Sequence, residues 1–178
     1  MNIKLVSEEM VDLALLKYKN GLAPYAQELL GRLIPTLRRL DIDQLSASSS
    51  LAVEEQRDGF VLTLEVNPSD ENIPSLGLRA YPNQCFLDLA DSEYLEAHGV
   101  PPDWQELVDQ VITAAERYLN GVTILEQYNR NHKLIGKAYF YGIDTENDKQ
   151  SRIGSSSYLV FPRKVKSVVK RTHRFLIE

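Results

Sequence analysis

The hydrophobic pattern along this chain changes period several times, and each change marks an element. Ser7, followed by Glu8 and Glu9, opens a helical stretch that Asn20-Gly21 closes; a capping hydroxyl and early acids suit a helix N-terminus. A second helix begins near Pro24 and places Tyr25, Leu29, Leu30, Leu33, Ile34 and Leu37 on one face. Pro35 lacks the N–H that would bond to residue 31, so a kink or an end is expected close to it. The period then falls to two. Phe60, Leu62, Leu64 and Val66 alternate with Val61, Thr63 and Glu65, and Arg57-Asp58-Gly59 supplies a hairpin turn back to 51–56. Further strands are expected over 76–81 and 84–89 around Pro82-Asn83.

The helical period returns with Trp104, Leu107, Val108, Val111, Ile112, Ala115 and Leu119, behind an Asp103/Glu106 capping-box pattern. His98, ahead of Gly99, suits a helix end, where an imidazolium complements the dipole. Strands follow over 122–129 and 133–141, turned by Asn129-Arg130-Asn131-His132, and then over 155–161. In the tail, Val165, Val168, Val169, Thr172 and Leu176 fit a helical face, although their β-branching also suits a strand; the reading adopted is helix. The sum is one α+β domain over residues 1–178, with a helical pair at 7–40 and sheet and helices over 51–178. About seven antiparallel strands in two meanders are packed on one face by about four helices.

Composition adds bounds rather than a function. A chain of 178 residues with 43% hydrophobic and 25% charged residues can bury a core without metals or disulfides. Cys85 stands alone, the N-terminal apolar run is broken by Asp12 and lacks a basic leader, and no stretch is long enough to span a bilayer; a cytoplasmic protein is expected. No cofactor is expected. His98, His132 and His173 are widely spaced, the loop from Asp144 lacks the glycine and the glutamate of a calcium site, and the phosphate-cradling and nucleophile-elbow spacings are missing. Cys85 alternates with Leu87 and Leu89 as a small buried hydrophobe would.

Charge is the asymmetric property. Residues 151–178 hold seven Lys/Arg and one acid, a net of +6, against −11 for residues 1–150. An acidic body steers a basic protein toward it, so the leading expectation is a non-catalytic protein-binding module of inhibitor, immunity, adaptor or chaperone type. Asp70, Glu71, Asp144, Glu146 and Asp148 are its candidate contacts. The alternative is a nucleic-acid-associated protein that uses Arg163, Lys164, Lys166, Lys170, Arg171 and Arg174, with Lys166, Lys170 and Arg174 stacked along a helix and Tyr139, Phe140, Tyr141, Tyr158 and Phe161 available to stack on bases. Those cations equally suit a clamp on the chain's own acids. A third reading, an enzyme with a dispersed site, stays open because 25 acids offer many pairs.

Overall fold

In the computed structural model the residues described are 2–4, 21–89, 92–100, 102–143, 145–146, 151–158, 160 and 163–177. The helix expected from Ser7 to Asn20 lies outside them. The chain divides into two units, Met1–Glu116 with Phe175–Glu178, and Arg117–Arg174. Among the described residues there are two α-helices, α1 (Pro24–Leu37) and α2 (Gln105–Asn120), and the division falls inside α2.

The first unit is built on a six-stranded antiparallel sheet in sequential order: β1 (Asn2–Lys4), β2 (Ser50–Gln56), β3 (Gly59–Val66), β4 (Leu76–Ala80), β5 (Gln84–Leu89) and β6 (Ser92–His98). Alternation aligns its apolar positions across the strands. Leu51 stands opposite Leu64, Leu64 opposite Leu78, Leu78 opposite Leu87, and Leu87 opposite Leu95, so one row of leucines crosses five strands. Leu64, Leu78 and Leu87 are fully buried. The β2–β3 hairpin turns through Arg57-Asp58, and Gly59 takes up the positive φ of 126° that follows.

Helix α1 starts with Pro24 in its first turn and buries Tyr25, Ala26, Leu29, Leu30, Leu33 and Leu37. Pro35 falls within the last turn, and the helix stops two residues later. The Tyr25 hydroxyl lies between two carbonyl oxygens of the β4–β5 turn, that of Tyr81 and that of Gln84 at 2.5 Å. Burial raises its pKa, so it remains a donor. Tyr25→Phe is expected to lower stability by about 1 kcal/mol, because it removes this bond without opening a cavity. Urea denaturation measures it; an unchanged midpoint means that the hydroxyl contributes nothing. On the outer turns, Arg32 pairs with Asp109 and the Thr36 hydroxyl donates to Glu116 at 3.0 Å, tying α1 to α2.

Helix α2 buries the expected stripe of Leu107, Val108, Val111, Ile112, Ala115 and Leu119. It begins at Gln105, so Trp104 precedes it, and the Trp104 carbonyl accepts from Val108. The last described residues return to the first unit. Phe175 is fully buried, its carbonyl accepts from Asp41 at 2.7 Å, and Ile177 donates to Arg39 at 2.8 Å.

The second unit carries a four-stranded antiparallel sheet in the order β10-β7-β8-β9, made of β7 (Val122–Asn129), β8 (Leu134–Tyr141), β9 (Arg152–Ser157) and β10 (Val165–His173).

The α+β class with antiparallel sheets stands, and its details change. Among the described residues there are two sheets instead of one, and two α-helices instead of about four. The tail is strand β10, paired with β7 from Val165 opposite Asn129 to His173 opposite Val122. Its β-branched valines and threonine favour the pleated backbone, while exposure on both faces erases the alternation that identifies a strand. His98 ends a strand, not a helix, and its Nε2 lies against the Glu96 carboxylate. Strand β9 begins at Arg152, three residues ahead of the expected 155.

Candidate functional site

The boundary between the units sharpens the charge asymmetry. Residues 117–174 hold twelve Lys/Arg and four Asp/Glu, a net of +8. The rest of the chain holds eight and 21, a net of −13. The basic unit has two differently employed sets of cations.

The first set surrounds Glu126. This residue sits on β7 at an inward position, in the alternation Val122, Ile124, Glu126, and its side chain is 3% exposed. Arg171 on β10 donates from Nε to Oε2 at 3.0 Å, the Tyr128 hydroxyl donates to the same oxygen at 3.0 Å, and Lys137 on β8 stands 3.7 Å from Oε1. Burial alone pushes this carboxyl up, but the hydrogen bonds from Arg171 and Tyr128 and the charges of Arg171 and Lys137 outweigh it and hold the pKa below the usual range. In return the carboxylate raises the Tyr128 phenol. A carboxylate compensated in this way has little tendency to take a proton, so the arrangement suits an ionic clasp across three strands better than acid–base work. Nearby, Lys170 pairs with Glu146 at 2.7 Å. Lys170 and Arg171 of the tail are therefore held by acids of their own unit. Extended backbone also separates Lys166 from Lys170 by about 13 Å, so the stacked row expected of a helix does not form.

The second set lies where β7 ends and β10 begins. Arg130, Lys164, Val165 and Lys166 line a cavity of about 480 Å³. All three cations are exposed, and none forms an ion pair or hydrogen bond among the described residues. Arg163 and Arg174 are also exposed. Beyond the cavity, β10 runs along one side of its sheet, and among the described residues no strand pairs with its outer edge. Val165, Val168 and Val169 are 44%, 53% and 42% exposed on it.

The acidic candidates fall in different surroundings. Asp70 and Glu71 are exposed in the β3–β4 connection of the first unit, and Asp70 accepts from the backbone and side chain of Asn72 at 2.9 and 2.8 Å. Glu146 belongs to the second unit and is engaged by Lys170. Asp144 and Asp148 lie outside the described residues. Among the aromatics proposed for base stacking, Tyr139, Phe140 and Tyr141 are buried, with Arg117 placed 4.6 Å over the Tyr141 ring. Tyr158 is exposed, and Phe161 lies outside the described residues.

Cys85 is fully buried on β5, and burial pushes its thiol up to about 12, which suits an inert side chain. His132 sits in the β7–β8 turn at φ 56°. A second cavity, of about 300 Å³ on the first unit, includes Arg79 and Asp88, which neutralise each other at 2.9 Å. Among the described residues no three potential metal ligands cluster, and no helix is long and apolar enough to cross a membrane.

Sequence reasoning missed Glu126 and Arg130. A charged residue at an inward place in an apolar alternation was the available signal for Glu126. Arg130 had none, since it meets Lys164 and Lys166 only through the pairing of β7 with β10. Comparison with family models, with curated proteins and with solved structures finds no match to this chain.

Proposed function

We propose that the protein is a non-catalytic protein-binding module that receives an extended, acidic segment of its partner along the outer edge of β10. The observation that carries this reading is the edge itself: nine residues of strand whose outer side pairs with no strand among the described residues, with three half-exposed valines along it. An added strand gains main-chain hydrogen bonds there, and its alternate side chains cover the valines.

Charge selects the occupant. The unit is +8, with Arg163, Lys164, Lys166 and Arg174 exposed along or beside the strand. Lysines on an edge commonly keep like strands from pairing. Here the same cations repel a second copy of β10 and attract an acidic strand, so a single feature serves both discriminations. The exposed acids of the first unit, Asp70 and Glu71, supply long-range steering of a basic surface elsewhere on the partner, in keeping with the leading expectation. Burial of Tyr139, Phe140 and Tyr141 weighs against the nucleic-acid alternative by removing three of its stacking surfaces.

The test uses a capped eight-residue peptide of alternating Glu and Val, its Lys counterpart, and a single-stranded DNA of matching charge. The acidic peptide is expected to bind, to weaken with salt, and to slow amide hydrogen exchange along β10. Equal binding of both peptides, or unchanged exchange on β10 at saturation, overturns strand addition. DNA binding with a steep salt dependence and no protection of β10 transfers the role to the nucleic-acid alternative.

A further inference from the structure

We propose that the cavity between the β7–β8 turn and the start of β10 is a binding site for a small organic phosphomonoester, with Arg130, Lys164 and Lys166 as its anion-binding groups. Strand pairing creates it. Val165 stands opposite Asn129, so Arg130, the residue after Asn129, arrives beside the two lysines that flank Val165.

The base of the site is rigid before any ligand arrives. The Asn129 side chain is fully buried, and its Oδ1 accepts from the backbone of Asn131 at 2.9 Å and of Lys133 at 3.0 Å. Asn129 N also bonds to the Lys133 carbonyl, and His132 N to the Asn129 carbonyl, each at 3.0 Å. The Arg130 backbone is thereby carried on a closed turn, so that only its side chain is ordered on binding. The Asn129 amide nitrogen is buried without an acceptor among the described residues, which adds a donor to the locality.

Charge gives the ligand's sign and class. Lys137, Lys170 and Arg171 in the same unit have carboxylate partners, whereas Arg130, Lys164 and Lys166 share one cavity with no anion among the described residues. Three like charges around one space repel each other, and a dianion relieves all three contacts together. A guanidinium fork with two ammonium groups matches the oxygens of a terminal phosphate better than a single carboxylate. Size gives the rest. About 480 Å³ lies within the range of small-molecule pockets and well beyond a bare phosphate, and Val165 offers an apolar wall to an organic body. The site shares Lys164, Val165 and Lys166 with the start of β10, but its readout is the saturable heat of a sugar phosphate, which needs no added strand and is independent of amide protection along β10.

Isothermal titration with ribose 5-phosphate, with ribose as the neutral control, tests the assignment. One equivalent of ribose 5-phosphate is expected to bind with a Kd below about 1 mM, and ribose is expected to give no saturable heat. The double variant Arg130→Ala/Lys164→Ala is expected to bind at least about tenfold more weakly, and Lys133→Ala, which removes a cation outside the cavity, to bind as the wild type does. Exposed positions make these variants safe for the fold, and matched melting temperatures verify it. Failure of ribose 5-phosphate to saturate, equal binding of ribose, or equal losses in the double variant and Lys133→Ala overturns the site.

Discussion

Glu126→Ala is expected to destabilise the protein by about 3 kcal/mol at neutral pH, a large effect for one residue of a sheet that also contains many apolar contacts. The substitution leaves Arg171 and Lys137 close together without their carboxylate, and it strips the Tyr128 hydroxyl of its acceptor. Removing one partner of a buried ion pair commonly costs 3–5 kcal/mol; the lower end applies because the Arg171 side chain is 41% exposed and can turn toward water. The triple variant Glu126→Met/Lys137→Met/Arg171→Met, which removes the whole cluster, is expected to fall within about 1 kcal/mol of the wild type. Acid supplies an independent check. The Glu126 pKa is held down in the folded protein, so its contribution is fully present above the unfolded carboxylate pKa of about 4.3 and is lost as the pH falls through the lower folded value. The penalty of Glu126→Gln relative to wild type therefore shrinks in strong acid. Chemical denaturation of the four proteins at pH 7, and of the wild type and Gln variant down to pH 2.5, measures all of this. A triple variant as unstable as Glu126→Ala assigns the cost to lost packing instead of unpaired charge.

Leu78→Ala is expected to cost about 4 kcal/mol, near the upper part of the range for buried leucines. Leu78 is fully buried on β4 and stands between Leu64 on β3 and Leu87 on β5, so the cavity opens in the middle of the leucine row, where the paired strands resist collapse. Leu64→Ala opens an adjoining void, and the two losses are expected to combine non-additively because they share lining atoms. Urea denaturation of the single and double variants reads both the cost and the coupling. A loss below about 2 kcal/mol in Leu78→Ala means that the sheet relaxes around the gap.

These two sites also show what could be read from the residues themselves. The leucine row was visible as alternation in 60–66 and 84–89, and the α2 stripe as a helical period, because each faces a core on one side and water on the other. The period-two pattern named the strands, but it could not count the sheets, since pairing partners are not encoded in alternation. Strand β10 was misread for a physical reason: it is exposed on both faces, so burial imposed no period on its residues, and the spacing of Val165, Val168, Val169 and Thr172 imitated a helix. The basic candidates were named one by one, yet their division into Lys170 and Arg171, held by acids, and Lys164 and Lys166, joined by Arg130, arises only from tertiary pairing. Among the acidic candidates, Glu146 was legible as a charge but not as the partner of Lys170.

The return of Phe175 to the first unit has a consequence for biosynthesis. Residues 117–174 form a unit of their own, and only after all of them have been made does the ribosome deliver Phe175, whose burial and bond to Asp41 complete the unit begun at the N-terminal side. The usual order, in which the earlier unit finishes folding while the later one is still being translated, is therefore unavailable to this chain. Nascent chains stalled before Phe175 are expected to present the earlier unit without this buried phenylalanine, open to chaperones and proteases for as long as the stall lasts.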